Sequence, residues 1–205
     1  MKIGVFECFG GAGLAATLPT MALLAHPAPQ AGFEAPFEML QACHERVQRS
    51  LALMARLQQH LQDVGCDDNA RQAARDVLRY FDVAAPLHHQ DEELHVFPPL
   101  LLGADAALRS LVRQLMQDHR AMEAGWVQAR AVLQAVADDT TGTRTLDATE
   151  IAQLDQFSAL YGQHILHEEG LAYPAAQAAL SGAAVRAMAE DMMVRRGVRP
   201  TLPPA

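Results

Sequence analysis

Between Leu108 and Val136 the apolar residues recur alternately four and three positions apart: Leu108, Val112, Leu115, Met122, Trp126, Ala129, Leu133 and Val136. A strand cannot gather such a set on one side, because its side chains alternate faces with period two. The pattern dictates a long amphipathic helix that must bury one face against others of its kind. One position on the stripe is not apolar. His119 sits between Leu115 and Met122, where a buried imidazole needs partners for both ring nitrogens.

The same spacing recurs along the chain. Leu40, Val47, Leu51, Met54 and Leu61 predict a helix over 38–64, closed by Gly65. A second, predicted over 69–96, carries Val77, Phe81 and Ala84 and then His88, Glu92 and His95 on one face. Pro86 predicts a kink in it, and Pro98-Pro99 its end. Asp147 and Glu150 form a D-x-x-E capping box for a helix whose inner face reads Leu154, Phe157, Tyr161, His164 and Glu168, up to Pro174. A shorter Ala- and Met-rich helix follows over 181–196 and stops at Gly197. No alternating β-branched run is present, so the expectation is an all-α fold: an antiparallel up-down four-helix bundle with a short extra C-terminal helix.

Residues 1–37 are rich in Gly, Ala and Pro, and their apolar stretch from Leu14 to Ala25 is broken by Pro19. With Lys2 as the only cation and Glu7 close by, this reads as a poorly ordered leader in preference to a secretion signal or a membrane span. The expected organisation is a leader over 1–37, the bundle over 38–175, and a C-terminal helix and tail over 176–205. Sixteen Lys and Arg against 24 Asp and Glu give a net charge of -8, which argues against nucleic acid or an anionic membrane as partner. Cys8, Cys43 and Cys66 form neither an even set nor a C-x-x-C pair. Neither a disulfide framework nor a thiolate zinc site is indicated, and a cytoplasmic location is expected.

His44, His88, His119 and His164 each occupy a core position, one on each long helix. A single core histidine is ordinarily satisfied by a backbone carbonyl, but four of them with Glu92 and Glu168 would be costly without a cation. Across the first hairpin, His44 and His88 each stand about twenty residues from the turn, at roughly 1.5 Å per residue, which puts them at one level. His119 and His164 do the same across the second. The two halves also repeat. His88-His89-Gln90-Asp91-Glu92-Glu93 with Phe97-Pro98 matches His164-Ile165-Leu166-His167-Glu168-Glu169 with Tyr173-Pro174, as in a pseudo-two-fold unit.

The H-x-x-x-E spacing sets His and Glu one turn apart on one helix face. Two such pairs with two lone histidines supply four imidazoles and two carboxylates, which suits two iron or manganese ions better than a soft thiolate metal. If both carboxylates bridge, an oxo or hydroxo bridge raises each ion to five ligands and leaves one position open for a small exogenous ligand. His89, His95 and His167 are expected at the surface or rim, Asp118 on the helix surface, and Cys43 in packing. Met188, Met192 and Met193 read as a docking face.

These residues resemble the hemerythrin-like, or HHE cation-binding, proteins over about 38–175, in the ordered set H, H-x-x-x-E-E, H, H-x-x-x-E. The resemblance implies a four-helix bundle holding a non-haem di-iron centre, with His44, His88, Glu92, His119, His164 and Glu168 as metal ligands. Oxygen-carrying members have a second His where Glu123 stands, and their last carboxylate falls at the spacing of Glu169, so reversible oxygen carriage is not implied. The set looks more like the di-iron proteins of iron-sulfur cluster repair and nitric oxide stress, without the N-terminal Cys-Cys module those often carry. Two readings follow: a protein reacting with O2, NO or peroxide or passing iron to a protein partner, and a sensing module that binds iron or gas without turnover. A metal-free bundle is disfavoured by the six core polar groups, and a ferritin-like oxidase by its E-x-x-H pair.

Overall fold

Helix α1 (Pro36–Asp63) starts where Pro36 presets the backbone of its first turn and Glu38 adds negative charge near its positive end. It ends at Val64 and Gly65, whose φ of +99° is a left-handed conformation suited to glycine. This computed structural model describes residues 32–103 and 105–200. The apolar stretch of the expected leader lies outside them.

The second rod is continuous from Asp68 to Leu102 but not uniform. Helices α2 (Asp68–Arg79), α3 (Ala85–Asp91) and α4 (Phe97–Leu102) are joined by π-helical turns at Tyr80–Ala84 and Glu92–Val96. Helix α5 (Ala106–Ala137) is one uninterrupted helix and carries the stripe on which His119 lies. The fourth rod comprises α6 (Ala148–Ala159), α7 (Tyr161–His167), a third π turn at Glu168–Ala172 and α8 (Tyr173–Ala179). Helix α9 (Gly182–Arg195) closes the described chain. Among the described residues the structure is all-helical, with no strand. No described helix is long and apolar enough to cross a membrane.

Each start has a chemical cause. Asp67, Asp105 and Ser181 accept hydrogen bonds from first-turn amides of α2, α5 and α9. Asp147 and Glu150 form the capping box that their spacing predicts. Pro98 and Pro174 behave differently from expectation. Each π turn is followed by a helix with proline at its second position: Pro86, Pro98 and Pro174. Proline cannot donate to the carbonyl four residues back and its ring collides with it; a wide turn just before it lets the helix continue. The second rod therefore runs past Pro98-Pro99 to Leu102, and the fourth past Pro174 to Ala179.

Helix α1 packs on α2, α2 on α5, α5 on α6, and α6 returns to α1. Two apolar clusters fill the interior. One, around Met54, Leu61, Val77, Leu133 and Phe157, occupies the end of the bundle near the α1–α2 link. The other, around Leu40, Phe97, Leu115, Tyr173 and Met192, occupies the opposite end. Met188, Met192 and Met193 of α9 are buried, as the docking face was expected to be. The same helix is fastened by Arg195 and Arg196, which reach the fully buried carboxylate of Asp91 at 2.5 and 2.6 Å.

Candidate metal centre

Every rod of the ring contributes to one polar layer between the two apolar clusters. His44 comes from α1, His88 from α3, His119 from α5 and His164 from α7, while Glu92 and Glu168 open the second and third π turns; all six are buried. Possible ligand atoms of His44, His88, Glu92 and Glu168 lie within 4.8 Å of one another, and so do those of His119, His164 and Glu168. Glu168 belongs to both groups. Its Oε2 is 3.1 Å from His44 Nε2, and its Oε1 is 3.0 Å from His164 Nε2 and 3.5 Å from His119 Nε2. Glu92 likewise spans the layer, with Oε1 3.5 Å from His88 Nε2 and Oε2 3.4 Å from His119 Nε2. The structure thus brings together the six residues that the sequence singles out.

The doubled glutamates aim the imidazoles. Glu93, beside Glu92, lies 2.9 Å from His119 Nδ1, and Glu169, beside Glu168, lies 2.9 Å from His44 Nδ1. Each half of the repeat thereby braces the lone histidine of the other half. A carboxylate on the outer nitrogen makes that nitrogen the N–H donor and leaves Nε2 with a free lone pair facing inward, the arrangement that metal-binding histidines favour. Asp118 stands 3.4 Å from His164 Nδ1 in the same role.

Charge in this layer is strained without a cation. Burial, then the charge of Glu168, pushes the Glu92 carboxyl well above the usual carboxylate range, against the hydrogen bond from Tyr173. Burial would raise Glu168 too, but the closeness of the His119, His164 and His44 rings holds it well below that range. Burial first, and neighbouring imidazoles second, drive His88 and His89 far below the ordinary histidine value and keep both rings neutral. Six buried atoms of the layer have no hydrogen-bond partner: Glu92 Oε2, both Glu168 oxygens, His88 Nδ1, His119 Nε2 and His164 Nε2. Buried polar atoms are rarely left so. Five of these belong to the converging set, and neutral imidazole with carboxylate is the donor chemistry of first-row divalent metals, so the residues fit a metal.

Elsewhere the structure revises the expectations. His89 is buried, not at the surface or rim, and its ring stacks on that of His119 with centroids 3.9 Å apart. His95 does sit at the rim, 2.7 Å from Asp191 of α9, and His167 is partly exposed beside Gln163. Asp118, expected on the helix surface, braces His164. Cys43 is buried outside both donor groups. Glu123 is exposed, and Met122 takes the core position at that turn of α5. Tyr173 escapes a reading by residue type because phenols are ordinary core residues, yet its hydroxyl donates to Glu92 Oε1 and lies 3.2 Å from His44 Nε2. The second Glu of each H-x-x-x-E-E run was the available signal for the braces.

A helical bundle whose polar layer gathers histidines and glutamates from four rods defines a cation-binding protein of the hemerythrin type. Residues 35–176 match the Hemerythrin HHE cation binding domain family, and the chain belongs to that family. It is also similar to an uncharacterized protein of Haemophilus influenzae, 30% identical over 173 residues, covering 84% of this chain and 96% of that protein.

Proposed function

We propose that this chain is a non-haem di-iron protein that reacts with a small diatomic ligand, O2 or NO, or with peroxide, in iron homeostasis or the repair of iron-sulfur clusters under nitrosative or oxidative stress. The observation that carries this reading is Glu168, fully buried, with one oxygen toward His44 and the other toward His119 and His164. One carboxylate turned toward two donor groups supports two ions side by side. His44, His88 and Glu92 would hold one, His119 and His164 the other, with Glu168 between them. Iron held there supplies one-electron chemistry and a coordination position for a diatomic molecule.

The chain's own part is to orient and to exclude. Glu93, Glu169 and Asp118 fix the imidazole faces, and the apolar clusters on either side keep bulk water from the layer. The same reading takes the ring of rods as an antiparallel up-down bundle, supported by the short α1–α2 link and the packing of those helices on each other. A cytoplasmic setting and a protein partner that receives iron belong to this reading too. The second reading, a module that binds iron or gas and reports it without turnover, rests on the same layer. Anaerobic loading with ferrous iron, metal analysis and stopped-flow mixing with NO test the proposal: two irons per chain and a rapid spectral change are expected. Stoichiometric zinc, or no iron bound, overturns it. Slow or absent consumption of the ligand alongside tight binding favours the sensing module.

A further inference from the structure

The two halves of the layer are related by the repeat, but not perfectly. Tyr173 stacks on His44 with ring centroids 5.6 Å apart, and Phe97, its counterpart in the other half, stacks on His119 at the same 5.6 Å. The rings are equivalent and the hydroxyl is not. Tyr173 is buried, and its oxygen lies 3.2 Å from His44 Nε2, the nitrogen freed by the Glu169 brace, while its proton goes to Glu92 Oε1. The phenol therefore points at the donor atoms themselves and not at their outer faces. At the other end of the layer Phe97 offers only carbon.

Resting on the di-iron reading, we infer that Tyr173 is a further member of the metal pocket: its oxygen serves the position between His44 and His88, and makes that position unequal to the one between His119 and His164. A phenol in hydrogen-bond contact with a buried carboxylate that holds a cation fixes which of the carboxylate's oxygens faces the ion, and its own lone pairs are within reach of the same space. The remaining asymmetry runs the other way. His164 has Asp118 behind it, whereas His88 Nδ1 has no partner. Each position is thus supported by a different residue, Tyr173 on one side and Asp118 on the other.

The test is ferrous iron binding to the full chain under anaerobic conditions, in competition with a chelator, for wild type, Tyr173→Phe, His44→Ala and the double variant. Tyr173→Phe keeps the stacked ring, and its helicity by circular dichroism controls for folding. It is expected to weaken one of two ions by about 10- to 100-fold and leave the other within about twofold, the scale on which groups supporting a ligand act. In the His44→Ala background, which already lacks that position, the same change is expected to leave the remaining ion's affinity unaltered. Equal weakening of both ions, no weakening, or a further loss in the His44→Ala background overturns the inference. Wild type that binds fewer than two ions defeats the di-iron reading instead, and is told apart by the first titration alone.

Discussion

Glu168 concentrates more of the site than any other side chain, because three histidines from three different rods lie within 3.5 Å of its two oxygens. Its replacement should therefore cost more than that of Glu92. Glu168→Ala is expected to abolish the ion pair altogether, while Glu92→Ala loses one ion or binds both weakly; iron per chain after anaerobic loading and desalting measures this, and a Glu168→Ala protein with full iron would refute it. The braces act one bond further out. Asp118→Asn should loosen iron by about tenfold without unfolding the bundle, read by chelator competition, since outer partners of ligating histidines typically carry that much affinity. The six central residues were legible in the sequence because each lies on an apolar stripe, where a polar side chain stands out. Asp118, His89 and Tyr173 were not. The first two lie next to a stripe position, where only the neighbouring rods decide whether a side chain is solvated, and the phenol is disguised by its aromatic ring.

The elements were read well where local chemistry sets them and poorly where long-range contacts do. Asp147 and Glu150 announce a helix start within four residues. The prolines mislead, because the π turns just before them make room for the ring and let α4 and α8 run past Pro98 and Pro174. Nothing periodic reveals that Asp91 meets Arg195 and Arg196, more than a hundred positions away. That contact makes α9 part of the bundle. Removing one member of a buried ion cluster leaves uncompensated charge, so Asp91→Ala should destabilise the iron-free protein by about 3–5 kcal/mol in urea unfolding. A loss below about 1 kcal/mol would show that the two arginines turn to solvent without cost. The clamp also has a pH signature. The hydrogen bond from His95, and then Arg195, holds the Asp191 carboxyl below its ordinary value despite partial desolvation. A carboxylate depressed by folding contributes stability above its unfolded value, near about 4, and loses it as pH falls through the folded one. Asp191→Asn should flatten the fall in urea midpoint below that pH, and an unchanged slope would exclude the contribution.

At the scale of the whole molecule, the bundle is a frame that holds one polar layer between two apolar ones, and the sequence repeat explains why the layer is nearly symmetric. In the oxygen-carrying members of the family, from which the sequence departs, a further histidine follows one turn after the third-helix His. In this chain that turn of α5 buries Met122 and turns Glu123 to solvent, so neither a third imidazole nor a substitute carboxylate reaches the His119–His164 position. Glu169, at the spacing of the carriers' last carboxylate, is engaged instead with His44 Nδ1. A metal held at the His119–His164 position would have two imidazoles, the shared Glu168 and the Glu92 Oε2 that lies 3.4 Å from His119 Nε2, a set without a third imidazole that would leave room for water and small ligands and would do little to hold a bound oxygen molecule against electron transfer. The iron-loaded, reduced protein is accordingly expected to change its spectrum rapidly on mixing with air or NO, and not to recover the reduced spectrum when air is replaced by argon. Recovery under argon, over repeated cycles, would refute this and mark the chain as an oxygen carrier. Because Glu123 faces outward, Glu123→His alone should not confer reversibility. Only if position 123 turns inward in the metal-loaded protein would that variant lengthen the oxygen-bound state, so the same stopped-flow experiment on it reports whether α5 keeps its rotation when iron binds.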